Sequence, residues 1–124
     1  FLDGAHENYD LLAQYPEEEL FGGKVQALGG NVYHVCRGSV LTLEEKKYLS
    51  FGGTESPDRE EREPGFNWWP QEMPSDEEYA FCEQSLAANN WQVDYVLTHD
   101  APSKFLDFSA LAAGESNRLH LFLD

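Results

Sequence analysis

The chain opens with Phe1-Leu2-Asp3-Gly4-Ala5-His6-Glu7-Asn8, and the interpretation of the rest depends on this stretch. Its pattern predicts a buried strand that ends in a turn and continues into a helix, with a His and two carboxylates at the strand's carboxyl end. Open α/β sheets bind their ligands at that edge. A second stretch, Val93-Asp94-Tyr95-Val96-Leu97-Thr98-His99-Asp100, is another apolar run that ends in a His and an acid. Two such strand ends predict a metal or phosphate site.

Composition excludes several classes of protein. The 124 residues make one domain or part of one, and 41% hydrophobic with 14% aromatic residues is globular, not disordered. A net charge of −15, from 8 basic against 23 acidic residues, argues against binding to duplex nucleic acid or to an anionic membrane. The sequence contains no apolar run of about 18 residues, so it predicts no membrane span.

The two cysteines and the two ends place the chain further. Cys36 and Cys82 lie far apart in apolar surroundings, which favours free thiols in a reducing, cytoplasmic compartment over a single disulfide. The first residue is not Met, and the opening already resembles the middle of a sheet. The final stretch 119–124 resembles a helix that stops before its cap. We therefore expect residues 1–124 to be the central portion of a single domain.

Between these ends, the pattern predicts a mixed α/β sheet that lacks some strands. A short helix is expected over 8–15, followed by an acidic turn over 16–20. Three or four short strands in an antiparallel meander are then expected: Lys24 to Leu28, Asn31 to Cys36, Ser39 to Leu43 and Lys47 to Phe51. A capping box at Ser75 begins a helix that ends near Asn89, and Val93 to Leu97 reads as a strand buried on both faces. A loop or short helix around Phe105, Leu106 and Phe108 ends at Gly114, and the last helix follows.

Several short motifs, in order, resemble the calcineurin-like metallophosphoesterases, especially a branch of small bacterial phosphoesterases. Gly4-Ala5-His6-Glu7 is similar to that family's Gly-Asn-His-Asp/Glu motif, and Thr98-His99-Asp100-Ala101-Pro102 is similar to the segment that carries its next, isolated His. The other similar segments are Asn8-Tyr9-Asp10, Phe51-Gly52-Gly53, Ser56-Pro57-Asp58-Arg59, Trp68-Trp69 with Glu72, and Val93 to His99. The family's earlier Asp-x-His and Gly-Asp motifs and its later Gly-His-x-His motif have no counterpart here.

The resemblance implies a fold and an activity. The fold would be a mixed β-sheet sandwich flanked by helices, an αββα arrangement that is incomplete at both ends. The reaction would be hydrolysis of a phosphomonoester or phosphodiester by metal-bound hydroxide, with two divalent cations (manganese, iron or zinc) as cofactors. The partner would be a phosphate-ester small molecule or a nucleotide. An anionic substrate also needs bound cations or a local Arg, because the acidic chain repels it.

The resemblance also implies residue roles. His99 would be a metal ligand, and His6 would be the catalytic proton donor to the leaving group or would orient the substrate. Ala5 stands where the family has an Asn whose amide oxygen binds metal, and a methyl group cannot coordinate. With Ala5 at that position and the end motifs missing, we expect this chain alone to be inactive. An engineered change explains Ala5 best, because the rest of the pattern is undamaged; a naturally degenerate site and a tolerated loss are the alternatives.

Other polar residues have weaker assignments. Asp3 and Glu7 could support the site or cap the turn; Asp100 could hold a ligand's tautomer or cap the turn before Pro102. Arg37 could touch a substrate phosphate. We interpret His34 and His120 as ordinary structural histidines, and Arg59 as part of a solvated, salt-bridged loop. Trp68 and Trp69 either line a substrate groove or, as we favour, anchor the long polar loop 52–65.

Two functions of other classes compete with the phosphoesterase. The chain could be a non-catalytic binding or regulatory domain that keeps the fold and has lost the metals, which Ala5 and the acidity favour. It could also be an acidic binding module whose Trp68-Trp69 loop grips a partner. Metal content separates the first alternative from the enzyme, and mutation of the tryptophans tests the second.

Overall fold

A computed structural model of the chain describes residues 1–102 and 117–124. This part is a small mixed α/β domain with two three-stranded sheets and a few helices. The strands are β1 (Glu17–Leu20), β2 (Gly23–Gly29), β3 (Val32–Val35), β4 (Ser39–Leu43), β5 (Lys46–Phe51) and β6 (Tyr95–Thr98). The helices are α1 (Tyr9–Leu12), α2 (Asp76–Ala88) and α3 (Arg118–Leu123), with 3-10 turns at Arg59–Glu61 and Pro70–Glu72.

The first sheet has the antiparallel order β1-β2-β3, with Glu17 opposite Gln26 and Val25 opposite Val35. The prediction of an acidic turn over 16–20 is wrong, because Glu17–Leu20 pairs along β2 as a strand. Its three glutamates are exposed. Charged side chains on an edge strand are common, since they discourage pairing with another chain. The absence of apolar alternation concealed this strand in the sequence.

The second sheet has the order β4-β5-β6, in which β4 and β5 are antiparallel and β6 runs parallel to β5. The expected strand Ser39–Leu43 is confirmed residue for residue. The meander, however, divides between sheets, because β3 and β4 belong to different ones. Ser39 joins them: its hydroxyl donates to the Lys24 carbonyl over 3.0 Å and accepts from the Lys24 amide over 3.1 Å.

The core lies between the second sheet and the helices α2 and α3. Its buried members are Val40, Leu49, Phe51, Tyr79, Cys82 and Leu119. The predicted capping box at the start of α2 is confirmed, since Glu78 and Ser75 exchange side-chain-to-backbone hydrogen bonds of 2.9 and 3.2 Å. Two orphan amides of the first turn are thereby satisfied, which fixes where α2 begins.

The strand β6 departs most from expectation. Tyr95, Val96 and Leu97 are 51%, 57% and 45% exposed, so the prediction of a strand buried on both faces is wrong. An apolar run indicates a strand but not how many neighbours cover it. Among residues 1–102 and 117–124, β5 is the strand that pairs with β6, and no described strand lies along its other edge.

The opening residues also differ from the prediction. Residues 1–8 form no regular strand, although the Phe1 carbonyl accepts a hydrogen bond from the Val35 amide over 2.9 Å, so the segment runs beside β3. The helix expected over 8–15 shortens to α1 and a following turn. Helix α3 confirms the expected final helix. The predicted loop or helix around Phe105, Leu106, Phe108 and Gly114 lies outside the described residues.

Candidate functional site

The turn Gly4-Ala5-His6-Glu7 is held from both sides. The Tyr9 hydroxyl donates to the Gly4 carbonyl and, over 3.1 Å, to a carboxylate oxygen of Asp3. Within the turn, the Glu7 carboxylate accepts from the Gly4 amide over 3.3 Å. These contacts fix the backbone and leave the His6 side chain exposed. His6 is therefore presented to solvent from an anchored turn.

His99 follows the carboxyl end of β6 and packs on the same turn. A Cβ added to Gly4 would lie 2.7 Å from Cε1 and 2.9 Å from Nδ1 of the His99 ring, which is closer than real side chains approach. Only a glycine lets the ring come this near the backbone. The two segments that the sequence singled out, far apart along the chain, are thus in contact.

Asp100 ties this end of β6 to the loop after β5. One carboxylate oxygen accepts from the Thr54 hydroxyl over 2.8 Å, and the other accepts from the Ala101 amide over 2.8 Å. The second bond is the turn cap before Pro102 that was one of its two predicted roles. Asp100 therefore stabilises the segment that carries His99.

Arg37 lies inside the protein, 4% exposed, behind the turn. Its Nε and Nη2 donate to the Asp3 carboxylate over 3.0 and 2.5 Å, and its Nη1 donates to Glu78 over 3.1 Å. Nη2 also reaches the carbonyls of Gln71 and Glu72 over 2.8 and 3.2 Å. Contact with a substrate phosphate stays a prediction for Arg37. Its geometry is that of a structural hub, because each of its nitrogens already has a protein partner.

Asp3 is 1% exposed and accepts hydrogen bonds from three side chains: His34, Arg37 and Tyr9. Burial would raise the pKa of Asp3, but the hydrogen bond from His34 and the charge of Arg37 outweigh it and lower the pKa to about 2. Burial, with the Asp3 charge, raises the pKa of the Tyr9 hydroxyl well above its ordinary value. Asp3 is therefore ionised and Tyr9 neutral over the ordinary pH range.

Sequence reasoning missed the partners of Asp3. His34 was interpreted as an ordinary structural histidine, and Gln26 was not singled out. The structure places the His34 ring between Asp3, 2.8 Å from Nε2, and the Gln26 amide oxygen, 2.7 Å from Nδ1. The available signal was a charged residue in each of two apolar stretches, Asp3 and Arg37, because a buried charge needs a partner.

Buried side chains hold the loop that links β5 to α2. Trp68 and Trp69 are buried, which confirms the anchoring role that the sequence favoured for them. The Trp69 indole donates to Asp10 over 2.8 Å, and the Arg59 guanidinium stacks 4.4 Å above the Trp68 ring. Buried Glu72 accepts from the amide and hydroxyl of Ser56 over 2.8 and 2.6 Å. These contacts hold the loop in place beside the turn.

Asp58 on this loop lies near His6. The hydrogen bond from Arg62 is the main reason why the pKa of Asp58 lies below its usual value, and nearby His6 adds a smaller lowering. Arg62 forms a 2.8 Å ion pair with Asp58 and donates to the Asn67 carbonyl over 2.8 Å. Asp58 and Arg62 therefore already pair with each other on this loop.

A cleft of about 600 Å³ lies on the other side of the turn. Its lining includes Asp3, Tyr9, His34, Arg37 and Glu78, but neither His6 nor His99. The cleft thus adjoins the buried charged residues, and the two exposed histidines lie outside it.

A metal centre would require several donor side chains at one place. Within residues 1–102 and 117–124, no group of three or more His, Cys, Asp or Glu side chains is arranged to hold a metal ion. Cys36 and Cys82 are free, as expected, and burial raises the pKa of each thiol to about 11. The donors described here do not by themselves fit a metal centre.

Comparison with protein-family models, with characterised proteins and with solved structures finds no match. In the part of the chain that the structure describes, no helix is both long enough and apolar enough to cross a lipid bilayer.

Proposed function

We propose that the protein is a metal-dependent phosphoesterase of the calcineurin-like type, or the central portion of one. The observation that carries this proposal is the packing of the His99 ring on Gly4. The two motifs that resemble the family meet in space although nearly the whole chain separates them. A chance resemblance of two short motifs would not lead us to expect that meeting.

His6 has the properties of a proton donor to a leaving oxygen. It is exposed at the end of an anchored turn, and Asp58 lies nearby on the ordered loop. Imidazole changes charge near neutrality, so it can supply a proton to an alkoxide that leaves a phosphate. The Tyr9 and Glu7 hydrogen bonds to Gly4 limit the movement of the turn, which favours one orientation of His6.

A metal centre would combine donors from several parts of the protein. His99 is the donor that we assign to it, and Ala5 offers none. Because the described residues assemble no group of three donors, a metal centre needs ligands from outside them. The exposed strand β6 agrees with that need, since it leaves an edge at which further structure can pair. We propose that the sheet continues there as the αββα sandwich does.

The test is manganese-dependent hydrolysis of nitrophenyl phosphate by the full-length parent protein with Ala or Asn at position 5, with metal binding followed by calorimetry. We expect a rate and a bound metal in Ala5→Asn, and a loss of both when His99→Gln is added. Glu83→Gln, an exposed change on α2, is the control and should alter neither. If Ala5→Asn binds no metal and hydrolyses nothing while folded, the phosphoesterase proposal is wrong for this chain.

The second candidate is a non-catalytic binding or regulatory domain of the same fold. The absence of a three-donor group among the described residues favours it directly, as does Ala5. It differs from the enzyme in one measurable respect, because neither position 5 variant would then bind manganese. The Trp68-Trp69 binding module has less support, since both rings are buried. A phosphate ester or nucleotide partner and a cytoplasmic location remain predictions.

A further inference from the structure

We infer that His34 is a positioning residue: its ring carries a proton on both nitrogens and fixes, through Asp3 and Gln26, the turn that presents His6. The inference rests on the proposed function only for the claim that His6 acts on a substrate. The protonated ring and its effect on the turn can be measured whether or not the protein is an enzyme.

Both neighbours of the His34 ring can only accept hydrogen bonds. The Gln26 amide nitrogen donates to the carbonyls of Leu12 and Tyr15 over 3.0 and 2.8 Å, so its amide oxygen must be the atom that faces Nδ1. On the other side, Nε2 faces a carboxylate oxygen of Asp3, which Arg37 keeps ionised. A neutral imidazole has one donor and one acceptor, and here it would leave one short contact without a proton.

The charges around the ring agree with this reading. Arg37 is paired with Asp3 and with Glu78, at 2.5 and 3.1 Å, so one cation faces two anions. A second proton on His34 balances the group of four at zero net charge. Buried charges are tolerated when they are paired in this way. The ionisable groups that line the same cleft are Asp3, Tyr9, Glu17, Cys36, Arg37 and Glu78, and the ring of Phe1 packs on His34 at 5.2 Å.

The ring connects to both flanks of the turn. On one side lies Asp3, the residue before Gly4. Its carboxylate accepts a hydrogen bond from the Tyr9 hydroxyl, and its backbone carbonyl accepts one from the Gly53 amide over 2.9 Å. On the other side, the Gln26 amide donates to the carbonyl of Leu12, the last residue of α1, and to the carbonyl of Tyr15 in the turn that follows. One imidazolium therefore fixes the backbone before and after residues 4–8. If one ring nitrogen had no proton, the hydrogen bond to Asp3 or to Gln26 would be lost, and the ring would then hold only the other flank of the turn.

The first experiment uses the unmodified chain and nitrogen-15 NMR of its histidine rings at pH 7.5. We expect one-bond N–H couplings at both ring nitrogens of His34, with His6 and His99, which are exposed, as comparison rings in the same spectrum. A ring nitrogen without a proton at pH 7.5 overturns the inference.

The second experiment separates positioning from general stability. His34→Gln should shift the amide signals of Gly4, Ala5 and His6, whereas Val32→Thr, an exposed change on the same strand, should leave them in place. In the Ala5→Asn background, His34→Gln should lower kcat by about 10- to 100-fold with KM nearly unchanged. A raised KM with unchanged kcat contradicts positioning. A complete lack of activity in Ala5→Asn contradicts the phosphoesterase instead, and the ring couplings still decide the role of His34.

Discussion

Two regions of this molecule reverse the usual distribution of polar and apolar side chains. Behind the turn, Asp3 and Arg37 are almost completely buried, whereas on β6 the side chains of Tyr95, Val96 and Leu97 are about half exposed. Buried charges are normally rare and exposed apolar runs are normally short. The buried group finds all its partners within the described residues, and β6 does not. Among the described residues, the side chains around Asp3 thus satisfy one another, whereas apolar side chains of β6 stay uncovered.

The largest effect should come from removal of the central cation. Arg37→Met leaves the Asp3 carboxylate buried without its main partner and removes the partner of the partly exposed Glu78, and we expect the free energy of unfolding to fall by about 3–5 kcal/mol. Urea unfolding at pH 7 measures it. Arg59→Met is the matched control, because that guanidinium stacks on Trp68 at the surface and should cost no more than about 1 kcal/mol. Equal losses in the two variants would show that the buried group is not a cooperative unit.

The pH dependence of stability should locate Asp3. Its folded-state pKa of about 2 lies below the ordinary 3.8, so its contribution is present above pH 3.8 and disappears as the pH falls through 3.8 towards 2. The difference corresponds to about 2 kcal/mol. Unfolding of the chain and of Asp3→Asn between pH 6 and pH 2 should show the two curves converging at low pH. Asp94→Asn, at an exposed position, is the control, and a curve parallel to that of Asp3→Asn would contradict the assignment.

One substitution can be made in both regions. Tyr9→Phe removes a buried hydroxyl that binds Asp3 and the Gly4 carbonyl, and we expect a loss of about 1 to 2 kcal/mol. Tyr95→Phe removes an exposed hydroxyl from β6 and should change stability by less than about 0.5 kcal/mol. Thermal unfolding of the two variants compares them directly. A larger effect at Tyr95 would mean that β6 makes contacts in solution beyond those described.

The same contrast explains what could be predicted from the sequence. Local signals worked: the Ser75-to-Glu78 capping box, the bounds of β4 and the burial of Trp68 depend on nearby residues. Burial of β6 was predicted wrongly, because the Val93 to Leu97 run carries no information about the strands beside it. The acidic strand β1 was missed because its pairing with β2, not its own pattern, makes it a strand.

The candidate site divides in the same way. The sequence identified His6 and His99 through motifs, and the structure brings their segments together at Gly4. The sequence could not identify the contact between His34 and Gln26. These residues lie opposite each other on β3 and β2, and only the strand register pairs them. Nor could the sequence show that Arg37 faces inward, since an Arg beside a Gly in a turn is usually exposed.

The smallest expected effect is also the sharpest test of β6. Val96→Thr and Val40→Thr both replace a methyl group by a hydroxyl. The two positions, 57% and 5% exposed, lie on strands of one sheet. A buried hydroxyl without a partner costs about 1–3 kcal/mol, and an exposed one should cost less than about 0.5 kcal/mol. Urea unfolding of both variants, with their sedimentation as a check on association, decides the comparison. If Val96→Thr costs as much as Val40→Thr in a monomer, residues outside the described part cover β6. If it does so only in a self-associated species, a second copy covers it, and the proposal that the sheet continues in the manner of the αββα sandwich loses its support.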